Sequence, residues 1–354
     1  MARTEMSDVN TDSEKPAKTW QDYGREWLDT LVVAISVAMC FRAYFYEPFN
    51  IPTGSMQPTL YGNHTELCDN PGVMQTTPLK WLNWIVSGRD YKEFVAPFSG
   101  VLWVRDRNDG RCDLSIVSAT GQEGGRICLP TDSLQYFDWG PDAAGRKVVP
   151  VERREGLRVA CLAKEDGTPL RELRIPKGHV LFRGYDTTGD FIFVNRWKWN
   201  FRAPARGDVM VFSTTGVGES PHGRYVGKDA RRYDLQQGTH YIKRLTALPG
   251  EEIAIRRPNV YINGKAIDPI KPMTGRRGEP TPEPSDGGAS AAYGKSLAAR
   301  GAVKMGEGEY YACGDNSDNS FDSRYWGPVP EKNLRGIGSC VFWPLVNPRW
   351  GKIK

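Results

Sequence analysis

No Cys-x-x-Cys pair occurs in the 354-residue chain, and none of its four histidines stands at zinc-ligand spacing from a cysteine, so the usual structural metal sites are excluded. An excess of one charge is also lacking. The 47 Lys and Arg against 42 Asp and Glu leave a formal charge of +5, scattered without a basic stripe, and nucleic acid is not an expected partner. Long apolar runs are scarce: the most apolar stretch, Leu28 to Tyr46, is free of charge only from Thr30 to Phe41. What abounds is turn formers. The 38 Gly and 25 Pro imply short strands and many turns, hence a mainly β body with insertions and not a helical bundle.

Residues 1–26 are polar and read as a tail or a short surface helix. The apolar stretch after them has three readings. A cleaved signal peptide fits poorly, because the region before it is long and acidic and no small-x-small site precedes Glu47-Pro48. A lipoprotein site at Val37-Ala38-Met39-Cys40 would put a bulky Met where such processing needs a small residue. The preferred reading is an uncleaved transmembrane anchor over 27–46. Trp27 and the Tyr44-Phe45-Tyr46 group would sit at the two interfaces, with the Arg42 side chain reaching to the headgroups. If the rest is exported, Cys68, Cys112, Cys128, Cys161, Cys313 and Cys340 meet an oxidising compartment, and their spacing leaves every pairing open.

Pro48, Pro52 and Pro58 forbid a continuous helix over Glu47 to Leu60, which is expected to be extended chain and turns. Residues 61–188 hold strand-like runs such as Val101–Val104 and Arg158–Leu162 between Gly, Asp and Pro clusters, and read as a β-rich insertion. Its Trp81, Trp84, Trp103 and Trp139 are read as core in preference to membrane surface. Phe191–Val194 and Val209–Phe212 read as buried strands of the main body, and Asn263-Gly264 as a tight hairpin turn. Residues 272–304 are rich in Gly, Pro and Ser and read as a flexible loop.

Chemistry centres on Ser55, in Thr53-Gly54-Ser55 between two prolines. A lone serine there would ordinarily bond only its own turn, so a base is required. His64, His179, His222 and His240 sit in no setting that resembles a triad. The other solution is a lysine whose pKa burial has lowered. Lys243 fits, because alternation along Tyr241 to Leu245 puts it on an apolar face. A third segment, Gly314 to Val329, is dense in hydrogen-bonding groups. Asp315, Asp318 and Asp322 lack EF-hand spacing and Arg324 competes as an internal cation, which argues against calcium.

Four segments in order, Glu47–Leu60, Arg206–Val209, Tyr241–Gly250 and Gly314–Gly327, resemble the motif series of bacterial type I signal peptidases. The resemblance covers the anchor, 47–60 and most of 189–265 and 305–345. It implies a signal-peptidase-like catalytic β domain (47–60 and 189–354) on the outer side of the inner membrane, a single-pass anchor, a cytoplasmic tail and no metal or organic cofactor. Partners would be signal-peptide-bearing preproteins and the lipid bilayer, the protein acting as a monomer. By position Ser55 matches the nucleophile, Lys243 the general base, and Ser320 a residue that orients the lysine. Thr53, where the family more often has Ser, would complete an oxyanion hole with the Ser55 amide. Phe49, Ile51, Tyr241 and Ile242 would line pockets for small side chains before the cut. Asp315, Asp322, Arg324 and Arg244 would form ion pairs that stiffen the site. Alternatives are a pilin-processing Ser–Lys peptidase and a catalytically silent homologue that binds exported peptides.

Overall fold

The computed structural model describes residues 19–69, 78–107, 109–154, 156–218, 235–256, 259–267, 301–316 and 319–353. The first unit, up to Phe45, contains one helix, Trp20–Tyr44, long and apolar enough to cross a membrane. At about 1.5 Å per residue it is roughly 37 Å long, against about 30 Å of bilayer hydrocarbon. It starts before the expected Trp27. Thr19 accepts from the Asp22 amide and the Asp22 carboxylate accepts from the Thr19 amide, a capping box that carries the helix into part of the expected tail.

The second unit, from Tyr46 onward, is mainly β. Its main sheet is antiparallel, with strand order Tyr46–Asn50, Phe191–Asn195, Leu334–Trp343, Val209–Ser213, His240–Ala247, Glu309–Cys313 and Val329–Pro330. The first two of these strands are hydrogen-bonded neighbours although about 140 residues separate them along the chain, with Asn50 opposite Phe191. The intervening chain leaves and returns at one place, where His64 pairs with Thr187. Between those points it builds a three-stranded sheet and a larger one whose central strands are Arg111–Val117, Gly100–Asp106 and Leu157–Ala163. This body has its own core, including Leu102, Val104, Leu114, Ile116, Leu129, Leu162 and Ile175. The insertion also contains a helix, Leu79–Ser87, that strand-like patterning did not suggest. On it Trp81 is 63 % and Trp84 42 % exposed, so these two are not core, whereas Trp139 packs against the insertion's core.

The Asn263-Gly264 turn adopts positive φ at both residues (49° and 77°), joining Asn259–Ile262 to Lys265–Ala266. Of the expected loop 272–304, residues up to 300 lie outside the described residues, and Val303–Lys304 is a strand paired with Glu252 and Ile253. All seven cysteines are free.

Candidate active site

Strand His240–Ala247 is buried on both faces from Lys243 onward. Met210 lies opposite Lys243 and Val211 opposite Ile242. Alternation sends Tyr241 and Leu245 into a cluster with Met210, Phe212, Ala312 and Trp326, and Ile242 into a second with Ile51, Met56, Leu60, Val209 and Val211. Lys243 is thus held among apolar neighbours, with 4 % of its surface exposed and its Nζ 5.5 Å from the centre of the Tyr241 ring. Burial, which disfavours the ammonium, lowers its pKa from 10.5 to about 8; Asp322 pulls it back up and Arg324 pushes it down.

Ser55 sits in a single helical turn, Gly54–Met56, which the flanking prolines keep short. Met56 and Leu60 are fully buried under this turn, and Lys243 Nζ donates to Ser55 Oγ at 2.8 Å. The turn is pinned from the far segment. Asn316 donates from its backbone to Ser55 O (3.1 Å) and from Nδ2 to Gly54 O (3.0 Å), contacts to which sequence reasoning assigned no residue. Asn316 lies within the Gly314–Gly327 motif, so the signal was present, but its partners are 260 residues away. Gly314 is needed there because a Cβ would stand 2.1 Å from Ser320 Oγ and 2.5 Å from Ser55 O.

Two buried ion pairs brace this arrangement. Arg244 grips Asp315 through Nε (2.7 Å) and Nη2 (2.6 Å), and Arg324 grips Asp322 with the same two atoms at 2.7 and 2.6 Å. Burial would raise the Asp322 pKa, but Arg324 beside it, with donors from Gly314 N and Ser320 Oγ, holds it below the usual carboxylate range. Ser320 donates to Asp322 Oδ2 at 2.7 Å, which leaves its oxygen able to accept, as the expected orienting role towards Lys243 would require. Cys313, also buried beside Lys243, has its thiol pushed up to about 12 by burial and stays neutral.

Ser55 and Lys243 open onto a cleft of about 740 Å³ lined also by Thr53, Tyr241 and Ile242. Thr53 is exposed at its lip and makes no capping bond to the turn. Ile51 is buried with Met56 and Leu60, and Phe49 packs on that cluster, so these two support the cleft floor. Among the described residues no group of His, Cys, Asp and Glu could hold a metal ion. An amine near its neutral form, in hydrogen-bond contact with a hydroxyl, can take that hydroxyl's proton.

A β framework that buries an amine against a hydroxyl places the chain among proteins able to do this. Residues 186–343 match the family described as signal peptidase, peptidase S26, a span that holds Lys243 and Ser320 but not Ser55. A probable signal peptidase I-2 of Synechocystis is 32 % identical over 46 % of this chain and 58 % of its own length. Signal peptidase I P of Bacillus subtilis subsp. natto is 30 % identical over 36 % of this chain and 68 % of its own. A crystal structure of a signal peptidase I from Enterococcus faecalis is 23 % identical over 38 % of this chain and 97 % of that one, with a TM-score of 0.23. The chain belongs to the signal peptidase I family. It spans about three-fifths of the length of the first curated relatives it matches.

Proposed function

We propose that the protein is a membrane-anchored serine endopeptidase that removes signal peptides from exported preproteins after small-x-small sites. The observation that carries this reading is the 2.8 Å contact between Ser55 Oγ and a lysine that burial brings to a pKa of about 8. Neutral Lys243 takes the Ser55 proton as Oγ attacks the scissile carbonyl, and the Ser55 amide and Thr53 hydroxyl hold the oxyanion. Lys243 then protonates the leaving amine, and in the second half it activates the water that frees the acyl group. Asp322, held by Arg324 and Ser320, sets the field around the lysine. Ser320 acts through it. Arg244 and Asp315 keep the strand and the motif loop in register.

The helix over Trp20–Tyr44 would cross the inner membrane once, with the β body outside the cytoplasm. A preprotein whose own apolar segment shares that bilayer is then presented at high effective concentration, so shallow contacts with Ala-like side chains suffice. The test is cleavage of a synthetic preprotein with an Ala-x-Ala site in detergent. Wild type should cut after the second Ala, and Ser55→Ala and Lys243→Ala should lose activity while remaining folded. An inert wild type, or a variant that still cuts, would favour a peptide-binding homologue or a different catalytic pair.

A further inference from the structure

The wall of the cleft facing Ser55 is not made by the catalytic sheet. It comes from the insertion, through Asn63, His64, Asp109, Gly110, Thr131 and Asp132. Asp109 and Gly110 form the tip of the hairpin between Gly100–Asp106 and Arg111–Val117, and that tip is docked directly on the chain leading to Ser55. Gly110 has φ +74°, and a Cβ there would come within 2.3 Å of Pro52 O. Asn63 donates to Asp109 O (3.0 Å) through its side chain and to Pro52 O (3.2 Å) through its backbone, and Thr131 N donates to Gly110 O (3.0 Å). A hairpin tied at so many points is a fixed wall.

The wall is acidic. Asp109 is exposed, and its carboxylate accepts from the Arg111 amide at 3.2 Å. Arg111 pairs with Asp186, and Arg107, turned towards Asp113 at 3.6 Å, also interacts with the Asp109 charge and offsets it only in part. Asp132 accepts from the amide and hydroxyl of Thr65, and His64, 3.6 Å from Glu66, is also attracted by Asp132, so the exposed Asp109 is the carboxylate this wall offers to a substrate. Among the described residues the one lysine lining the cleft is Lys243, buried at its base.

Resting on the endopeptidase reading, we propose that the insertion selects substrates by charge. Asp109 favours preproteins with a lysine or arginine within a few residues of the scissile bond. Exposed complementary charges change rates modestly and are screened by salt.

The experiment uses the full chain in detergent and Ala-x-Ala peptides carrying Lys, Ala or Glu at one flanking position, scanned across the cut. At the best position and low salt, wild type should favour Lys over Glu by about 3- to 10-fold in kcat/KM, and 0.5 M salt, shrinking the screening length to about 4 Å, should erode most of that ratio. Asp109→Asn should flatten the ratio and Asp109→Lys should invert it. A misfolded variant loses all three peptides together and cannot invert a ratio. Equal cleavage of the three peptides by wild type, or a lysine preference that survives in both variants, overturns the proposal and leaves the endopeptidase reading standing. A wild type that cuts none of them overturns both.

Discussion

In the sheet that carries Lys243, two arginines and two aspartates lie almost wholly inside the protein, each pair closed by two parallel hydrogen bonds. In the larger sheet of the insertion, the ion pairs Arg126–Glu123, Arg153–Glu172, Arg158–Asp106 and Arg107–Asp113 each keep at least one partner more than a third exposed, and the core beneath is apolar. Exposed pairs contribute little, whereas removing one member of a buried pair strands the other. The two bodies therefore differ in what their charges do. Across the insertion's larger sheet most of them solubilise a fold held by apolar packing, Asp186 with Arg111 and Lys92 being the buried exception, whereas beside Lys243 Asp322 and Arg324 bear on the protonation of that lysine.

The sharpest way to break this contrast is Lys243→Met, which should lower kcat/KM by about 10³-fold or more, because the base is gone. The same change should stabilise the protein below pH 8 by about 1–3 kcal/mol, since a buried ammonium is costly. Folded, Lys243 releases its proton at about 8, against 10.5 ordinarily. Between those values the unfolded chain holds the extra proton, so the Lys243 contribution to stability rises with pH across that window. Urea unfolding of both proteins at pH 7 and pH 10 should show wild type gaining on the variant, because contributions common to both, such as the raised Cys313 and Cys112 thiols, cancel in the difference. For the wild-type rate itself, kcat/KM should climb towards a plateau above about pH 8 as the lysine becomes neutral.

Next in size is Asp322→Asn. It strands Arg324 and should cost about 3–5 kcal/mol in urea unfolding. Because Asp322 raises the Lys243 pKa, the acid limb of the rate profile should also move to lower pH. Leu114→Ala in the insertion core should cost about 2–5 kcal/mol yet leave that limb in place, which separates packing from protonation. The smallest effect is expected for Glu172→Gln, within about 1 kcal/mol, because both members of its pair with Arg153 are exposed. A pH shift from Leu114→Ala, or a loss above about 2 kcal/mol from Glu172→Gln, would contradict the distinction drawn between the bodies.

Much of the site was legible because its signals are local. Period-two patterning put Lys243 with Tyr241 and Leu245, the prolines around Ser55 announced a short turn, and Asn263-Gly264 announced a hairpin. What was not legible depends on contacts between distant residues. No pattern around Ser320 announces that its hydroxyl donates to Asp322, a carboxylate on which Arg324 and Gly314 also converge. The docking of Gly110 on Pro52 was hidden for the same reason. The early start of the N-terminal helix was readable in Thr19-Trp20-Gln21-Asp22, but the polar composition of the residues around it obscured it.

The insertion leaves and rejoins the catalytic sheet through a single antiparallel step, with His64 opposite Thr187 and Asn50 opposite Phe191. The chain path thus enters and leaves the insertion at one place, so closing that gap would cost little chain entropy, but the insertion is also docked on Pro52 and, through Ile85 and Val86, on Trp343, Leu345 and Val346. Under the proposed function, bond cleavage and choice of substrate would then fall to two different stretches of one chain that meet at the cleft.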